Sequence, residues 1–103
     1  MPEIKFPPET VEEAVDYLQT NMPLNYEIQL ITMNKEDLFN LHFSLGTYVR
    51  STLGLWSGNE KLIESCCLLS GHENMHADDA SMVIIDALWK KLQDKNSMGL
   101  VSG

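Results

Sequence analysis

The sequence predicts an all-α fold, a compact single domain of about five helices around a central buried helix. Three observations carry that prediction. The stretch 38–56, LFNLHFSLGTYVRSTLGLW, is apolar around most of a helical wheel. Val11, Ala14, Val15 and Leu18, and later Ala80, Val83, Ile84, Ala87, Leu88 and Leu92, recur at helical spacing. The β-branched residues near 28–32 would suit a strand, but no second strand is in view to pair with one.

The central helix is predicted over residues 37–53. At roughly 100° per residue, Leu38, Leu41, His42, Leu45, Val49 and Thr52 share one face. Tyr48 widens that face on one side, and Phe39, Phe43, Gly46, Arg50 and Leu53 on the other. The apolar arc is then roughly 220° wide, which calls for neighbours on most sides. Asn34 and Asp37 form a capping-box-like start, and Gly54 followed by Leu55 forms a left-handed stop. Gly46 within a helix costs about 1 kcal/mol relative to alanine, a penalty that close approach of another helix would offset.

Around it, Pro7 and Pro8 keep the chain extended, and Thr10-Val11-Glu12-Glu13 has the capping-box form that opens a helix over 11–21. Pro23 separates this from a short helix over 25–32, with Tyr26, Ile28, Leu30, Ile31 and Met33 as its buried candidates. Ser57-Gly58-Asn59 is a turn, and Asn59 caps a helix over 60–69 whose inward face is Leu62, Ile63, Cys66 and Leu69. Gly71 ends it. A last helix spans 77–94, with Asp78 and Asp79 in its first turn and Lys90, Lys91 and Lys95 near its end, the order that suits a helix dipole. The domain reading is an extended lead-in over 1–9, a helical domain over 10–95 and a flexible tail over 96–103.

Composition excludes several function classes. A chain of 103 residues that is 44% hydrophobic forms one globular core. Its net charge of −8 and pI near 4.6 oppose binding to nucleic acid, which needs a basic patch. No apolar run is long enough to span a membrane, and the N-terminus has no apolar signal core, so a cytoplasmic protein is expected. Cys66 and Cys67 are neighbours on a helix and point about 100° apart, a poor geometry for a disulfide.

His72-Glu73-Asn74-Met75-His76 reads literally as H-E-x-x-H, in which two histidines one helical turn apart hold zinc and the glutamate activates the metal-bound water. Gly71 and Asn74 place the segment in a loop, where that spacing no longer aligns the imidazoles. Asp79 and Met82 stand where an extended form of the motif requires glycine and histidine. Asp78, Asp79 or Asp86 remains as a third ligand if His72 and His76 bind metal. No phosphate-cradling loop and no nucleophile–base pair is present.

The central residues Leu41-His42-Phe43-Ser44-Leu45-Gly46-Thr47-Tyr48-Val49-Arg50 and Gly54-Leu55-Trp56, with His76-Ala77-Asp78-Asp79 and Ala87-Leu88-Trp89, carry a resemblance. They resemble a bacterial domain-of-unknown-function family with a central segment like L-H-F-G-L-G-M-W-I-R-N-N-x-G-L-W and a later His-Pro-Asp-Asp step. The likeness spans residues 10–92. Ser44 replaces a glycine, Ser51-Thr52 an asparagine pair and Ala77 the proline. Glu73 is outside the family pattern, which weighs against a protease. The resemblance implies domain boundaries and a shortlist of positions, and it implies no activity.

The sequence therefore favours a small, acidic, non-catalytic protein-interaction domain of immunity, inhibitor or accessory type. It needs no cofactor and has another protein as partner, with neither nucleic acid nor membrane. Candidate binding residues are His42, Arg50, Trp56, Asn59, His76, Asp78 and Asp79. Each has a structural reading beside the functional one: His42 as a hydrogen-bonded core histidine, Arg50 as an ion pair stacked on an aromatic ring, Trp56 as closure of the core. Two alternatives stand: a zinc-dependent hydrolase using His72, Glu73 and His76, and a small-molecule or anion-binding domain around His42 and Arg50.

Overall fold

The computed structural model describes residues 7–102, with side chains through residue 94. Residues 1–6 of the expected lead-in, and the side chains of the expected tail, lie outside the described residues. The chain forms α1 (Val11–Asn21), α2 (Leu24–Thr32), a 3-10 helix (Lys35–Leu41), α3 (Leu45–Thr52), α4 (Glu60–Ser70) and α5 (Ala77–Ser102), an all-α arrangement. Among the described residues no helix is long and apolar enough to cross a membrane.

α1 starts as its sequence dictates. The Thr10 hydroxyl accepts the Glu13 amide at 3.1 Å, and the Glu13 carboxylate accepts the Glu9 amide at 3.0 Å, one residue before the cap. The Val11 amide, another unpaired donor of the first turn, donates to Ser65 of α4 at 2.9 Å. Gly54 and Gly71 take positive φ, 72° and 80°, after α3 and α4. In each case the next amide reaches back five residues in the Schellman pattern, Leu55 to the Arg50 carbonyl at 3.0 Å and His72 to that of Cys67 at 3.2 Å. Leu55 is buried, so it and not Trp56 closes the core at this end.

α5 is the element around which the others pack. It touches α1, α2, the 3-10 helix, α3 and α4. Ala80, Ser81, Ile84, Ile85, Leu88 and Leu92 are its buried stripe; Val83 and Ala87, expected inside, are half-buried. Its polar residues finish a neighbour: Trp89 Nε1 donates to the Met33 carbonyl at 2.9 Å, and Gln93 Nε2 to those of Leu30 and Ile31 at 3.2 and 2.9 Å. The Leu30 carbonyl also accepts the Met33 amide at 3.3 Å, and carbonyls at a helix end are the ones that take partners from outside the helix.

The expected single helix over 37–53 is instead a 3-10 helix, a turn and the shorter α3. Bonds of the i to i+3 kind run through the join, from the His42 amide to Phe39 O at 3.1 Å and from Ser44 to Leu41 O at 3.2 Å. Ser44, at φ −105° and ψ −86°, breaks the helical path. Asn34 accepts the Asp37 amide through its carbonyl, without a side-chain cap. In a 3-10 helix residues three apart eclipse. Leu38 and Leu41 therefore share the buried edge, while Phe39 and Phe43, expected on the apolar arc, are 70% and 87% exposed.

Two other helices bury less than their periodicity suggests. In α2 only Leu30 is fully buried; Tyr26, Ile31 and Met33 are half-buried and Ile28 is exposed. In α4, Leu62 and Cys66 are buried, but Leu69 is 62% exposed. Both cysteines are free thiols. Burial, with Cys67 beside it, pushes the Cys66 thiol up to about 12, so it packs as a small protonated core group.

Candidate functional site

The site begins at the join between the 3-10 helix and α3. Arg50 lies one turn into α3 and is only 3% exposed. Its Nη2 donates to the His42 carbonyl and to the Thr47 hydroxyl, both at 3.1 Å, and its Nη1 donates to Ser81 at 3.0 Å. Ser81 is fully buried on α5 and its hydroxyl donates a hydrogen bond to the Asp78 carbonyl at 2.7 Å. The guanidinium thus ties the broken middle of the chain to the first turns of α5. It is planar and forked, which lets one side chain serve acceptors on two elements.

Gly46 makes room for this group. A Cβ there would stand 2.9 Å from Arg50 Nη1 and 3.4 Å from the Leu41 carbonyl. The glycine thus answers first its own helix's arginine and then the backbone of the neighbouring 3-10 helix.

Asp78 closes the arrangement from α5. Its Oδ1 is 3.3 Å from Arg50 Nε, and its Oδ2 is 3.9 Å from His42 Nε2. The Arg50 contact is a charge pair off the line of a hydrogen bond, so buried Nε has no hydrogen-bond partner among the described residues, and neither has His42 Nδ1. Asp78 is 58% exposed, which weakens both pairings by solvent screening.

Aromatic rings surround the cluster. Phe39 stacks on the His42 ring at 5.6 Å, and Phe43 meets it edge-on at 5.0 Å. The Arg50 guanidinium lies 5.3 Å from the Trp56 ring centroid. The expectation that Arg50 stacks on an aromatic and pairs with an acid therefore fits, with Trp56 and Asp78 in those places. Trp56 is itself 58% exposed. Three large aromatic residues thus stand in solvent, Phe39 and Phe43 against His42 and Trp56 against Arg50.

Of the sequence candidates, the fold brings His42, Arg50, Trp56 and Asp78 together. Asn59 is elsewhere and works as a tie. Its Nδ2 donates to the carbonyls of Pro8 and Leu53, each at 2.9 Å, and its Oδ1 accepts the Leu62 amide that opens α4. Asn59→Ala is expected to lower stability by about 2 kcal/mol, the sum of a lost cap and a lost long-range tie, as read from a urea unfolding midpoint at constant m. The carbonyl of exposed His76 accepts the first amide bond of α5, from Ala80, at 2.9 Å. Asp79 is exposed in the first turn of α5.

The H-E-x-x-H segment lies outside any helix, between Gly71 and α5. His72 and Glu73 line a cleft of about 510 Å³ with Glu64, Cys67 and Leu68, and His76 does not line it. Among the described residues no group of three or more His, Cys, Asp or Glu side chains is placed to hold a metal ion. A second cleft, of about 550 Å³, lies at the α3–α4 turn and contains Asn59, Glu60 and Lys61. Neither cleft is lined by His42 or Arg50.

Residues 7–92 match the family model described as Domain of unknown function (DUF6794). The chain belongs to that family. The match takes in both the Arg50 cluster and all of the DUF6794 domain's packed core from Val11 to Leu92. No curated protein and no solved structure matches the chain.

Sequence reasoning missed two members of the DUF6794 cluster, Thr47 and Ser81. Ser81 did carry a signal: it is the one hydroxyl among Ala80, Ile84, Ile85 and Leu88 on the buried stripe of α5. Thr47 lies three residues before Arg50, a spacing that puts side chains within reach on a helix.

Proposed function

We propose that this DUF6794 chain is a non-catalytic interaction domain that docks another protein on the face formed by Phe39, Phe43 and Trp56. The observation that supports it is the exposure of these three rings, 70%, 87% and 58%, around one rigid ionic cluster. Aromatic residues in a fixed frame suit binding, because they offer contact area at little cost in conformational entropy. Arg50 and His42 act in this reading as the support beneath the face. The guanidinium already serves Ser81, Thr47 and the His42 carbonyl, so a bidentate anion would have to displace those bonds.

The test is affinity isolation from cells expressing the chain, with the parent and with F39S/F43S/W56S as bait. A partner recovered in near-equal amount by the parent and lost with the variant is the expected result. Circular dichroism of the variant checks that its helices persist. Equal recovery by both baits would refute this face as the docking site.

A further inference from the structure

The 3-10 helix and α5, which carry or approach the aromatic residues, also carry exposed acids without an ion-pair partner among the described residues. In the 3-10 helix, Glu36 shares an edge with Phe39 and with the capping residue His42, and Asp37 shares the next with Asn40, because residues three apart eclipse; Phe43 lies in the turn that follows. Both acids are exposed. From α5, the Asp78 carboxylate faces Arg50 and His42, and exposed Asp79 follows it about 100° around the helix. Glu36, Asp37 and Asp79 make no ion pair among the described residues. The one arginine of the region is buried under Trp56, with both Nη groups bonded inside the protein and Nε facing Asp78. The face therefore presents exposed π surfaces beside unneutralised carboxylates.

We infer that the occupant of this face is a basic segment of a partner protein, one that sets arginine or lysine side chains against Phe39, Phe43 and Trp56 and pairs them with Glu36, Asp37 and Asp79. This rests on the docking reading above and adds the partner's chemistry. Charge complementarity decides it. A cation gains both from the ring faces and from the carboxylates. A nucleic acid, an anionic lipid surface or an acidic peptide is repelled by the same carboxylates and by a net charge of −8. A second copy of the chain would oppose like charges across its symmetry axis.

The test titrates the 15N-labelled full chain with a short amphipathic peptide bearing arginine at alternate positions, and with its twin bearing glutamate. Expected are saturable shifts centred on Phe39, Phe43 and the Trp56 indole from the arginine peptide alone. Its affinity should fall about tenfold or more between about 20 and 300 mM salt, because exposed charges are screened. E36Q/D37N/D79N should weaken it similarly. F39S/F43S/W56S should abolish localised binding although its net charge is unchanged, and F43S alone, at the most exposed ring, should weaken it if the triple variant is unstable. Retained binding by the aromatic variant, shifts scattered over the acidic surface, equal binding of the glutamate peptide, or no binding at all would overturn the inference. An isolated partner that needs the three rings but binds E36Q/D37N/D79N equally well would overturn the basic-partner inference and leave the docking face standing.

Discussion

Arg50→Ala is expected to destabilise the domain by about 3 kcal/mol, a drop of about 12–24 °C in melting temperature for a chain of this size. Asp78 is not the main reason. Its carboxylate is more than half exposed and is resolvated when the arginine leaves. The larger loss lies with the neutral acceptors. Ser81 is fully buried, and the His42 carbonyl sits in the broken join where main-chain bonding is irregular. Both would be left beside a cavity, Ser81 keeping only its bond to the Asp78 carbonyl, and an unmet buried acceptor is more expensive than the bond it replaces is favourable. Arg50→Lys should recover only part of this, remaining about 2 kcal/mol below the parent, because one ammonium cannot reach acceptors on both sides of the fork. Urea unfolding of the three proteins measures the order; equal stability of the lysine variant and the parent would show that charge alone, and not the fork, matters here.

Gly46 gives the same argument a sign. Gly46→Ala gains helix propensity, at most about 1 kcal/mol because Gly46 lies in the first turn of α3, yet its Cβ would stand 2.9 Å from a guanidinium held in place by Ser81. In the parent it should be net destabilising, and in the Arg50→Ala background net stabilising. A double-mutant cycle reads that coupling directly.

The fold class and most helix boundaries were legible because they rest on local chemistry. Thr10 and Glu13 mark the start of α1, Asn59 that of α4, and Gly54 and Gly71 the stops after α3 and α4. The break at Ser44 was not legible. Leu38 and Leu41 are three apart, a spacing that a 3-10 helix and an α-helix both place on one face. What differs between the two is where Phe39 and Phe43 go, and no single-face pattern marks that choice. The device that fixes it, Arg50 bonded to the His42 carbonyl and to Ser81 thirty-one residues away, is tertiary. The candidate site was legible to the same depth. His42, Arg50, Trp56 and Asp78 were nominated from separate stretches, and the fold joins them, whereas Asn59 turned out to hold three segments together. The exposed aromatic face followed from the break, so it could not be read before the break was known.

Leu88→Ala is expected to have the largest effect of any single truncation, about 3–4 kcal/mol, because a cavity in the middle of α5 adds to the lost transfer energy. The side chain is fully buried, and α5 is the element every other helix packs against. A cavity there cannot be filled by moving one neighbour without disturbing the rest, so relaxation recovers little. Small domains have total stabilities on the order of 5–15 kcal/mol, and this one loss removes a large share. Leu69→Ala is the matched control. Both leucines lie at positions that helical periodicity assigns to an inward face, but Leu69 is 62% exposed and its truncation should cost less than about 0.5 kcal/mol. The pair separates burial from periodicity. Unfolding midpoints that differ by about 3 kcal/mol would follow the packing described here, with α5 as the common partner. Similar losses at both positions would mean that α4 turns its Leu69 edge into the core, and the α4–α5 contact would need a different register.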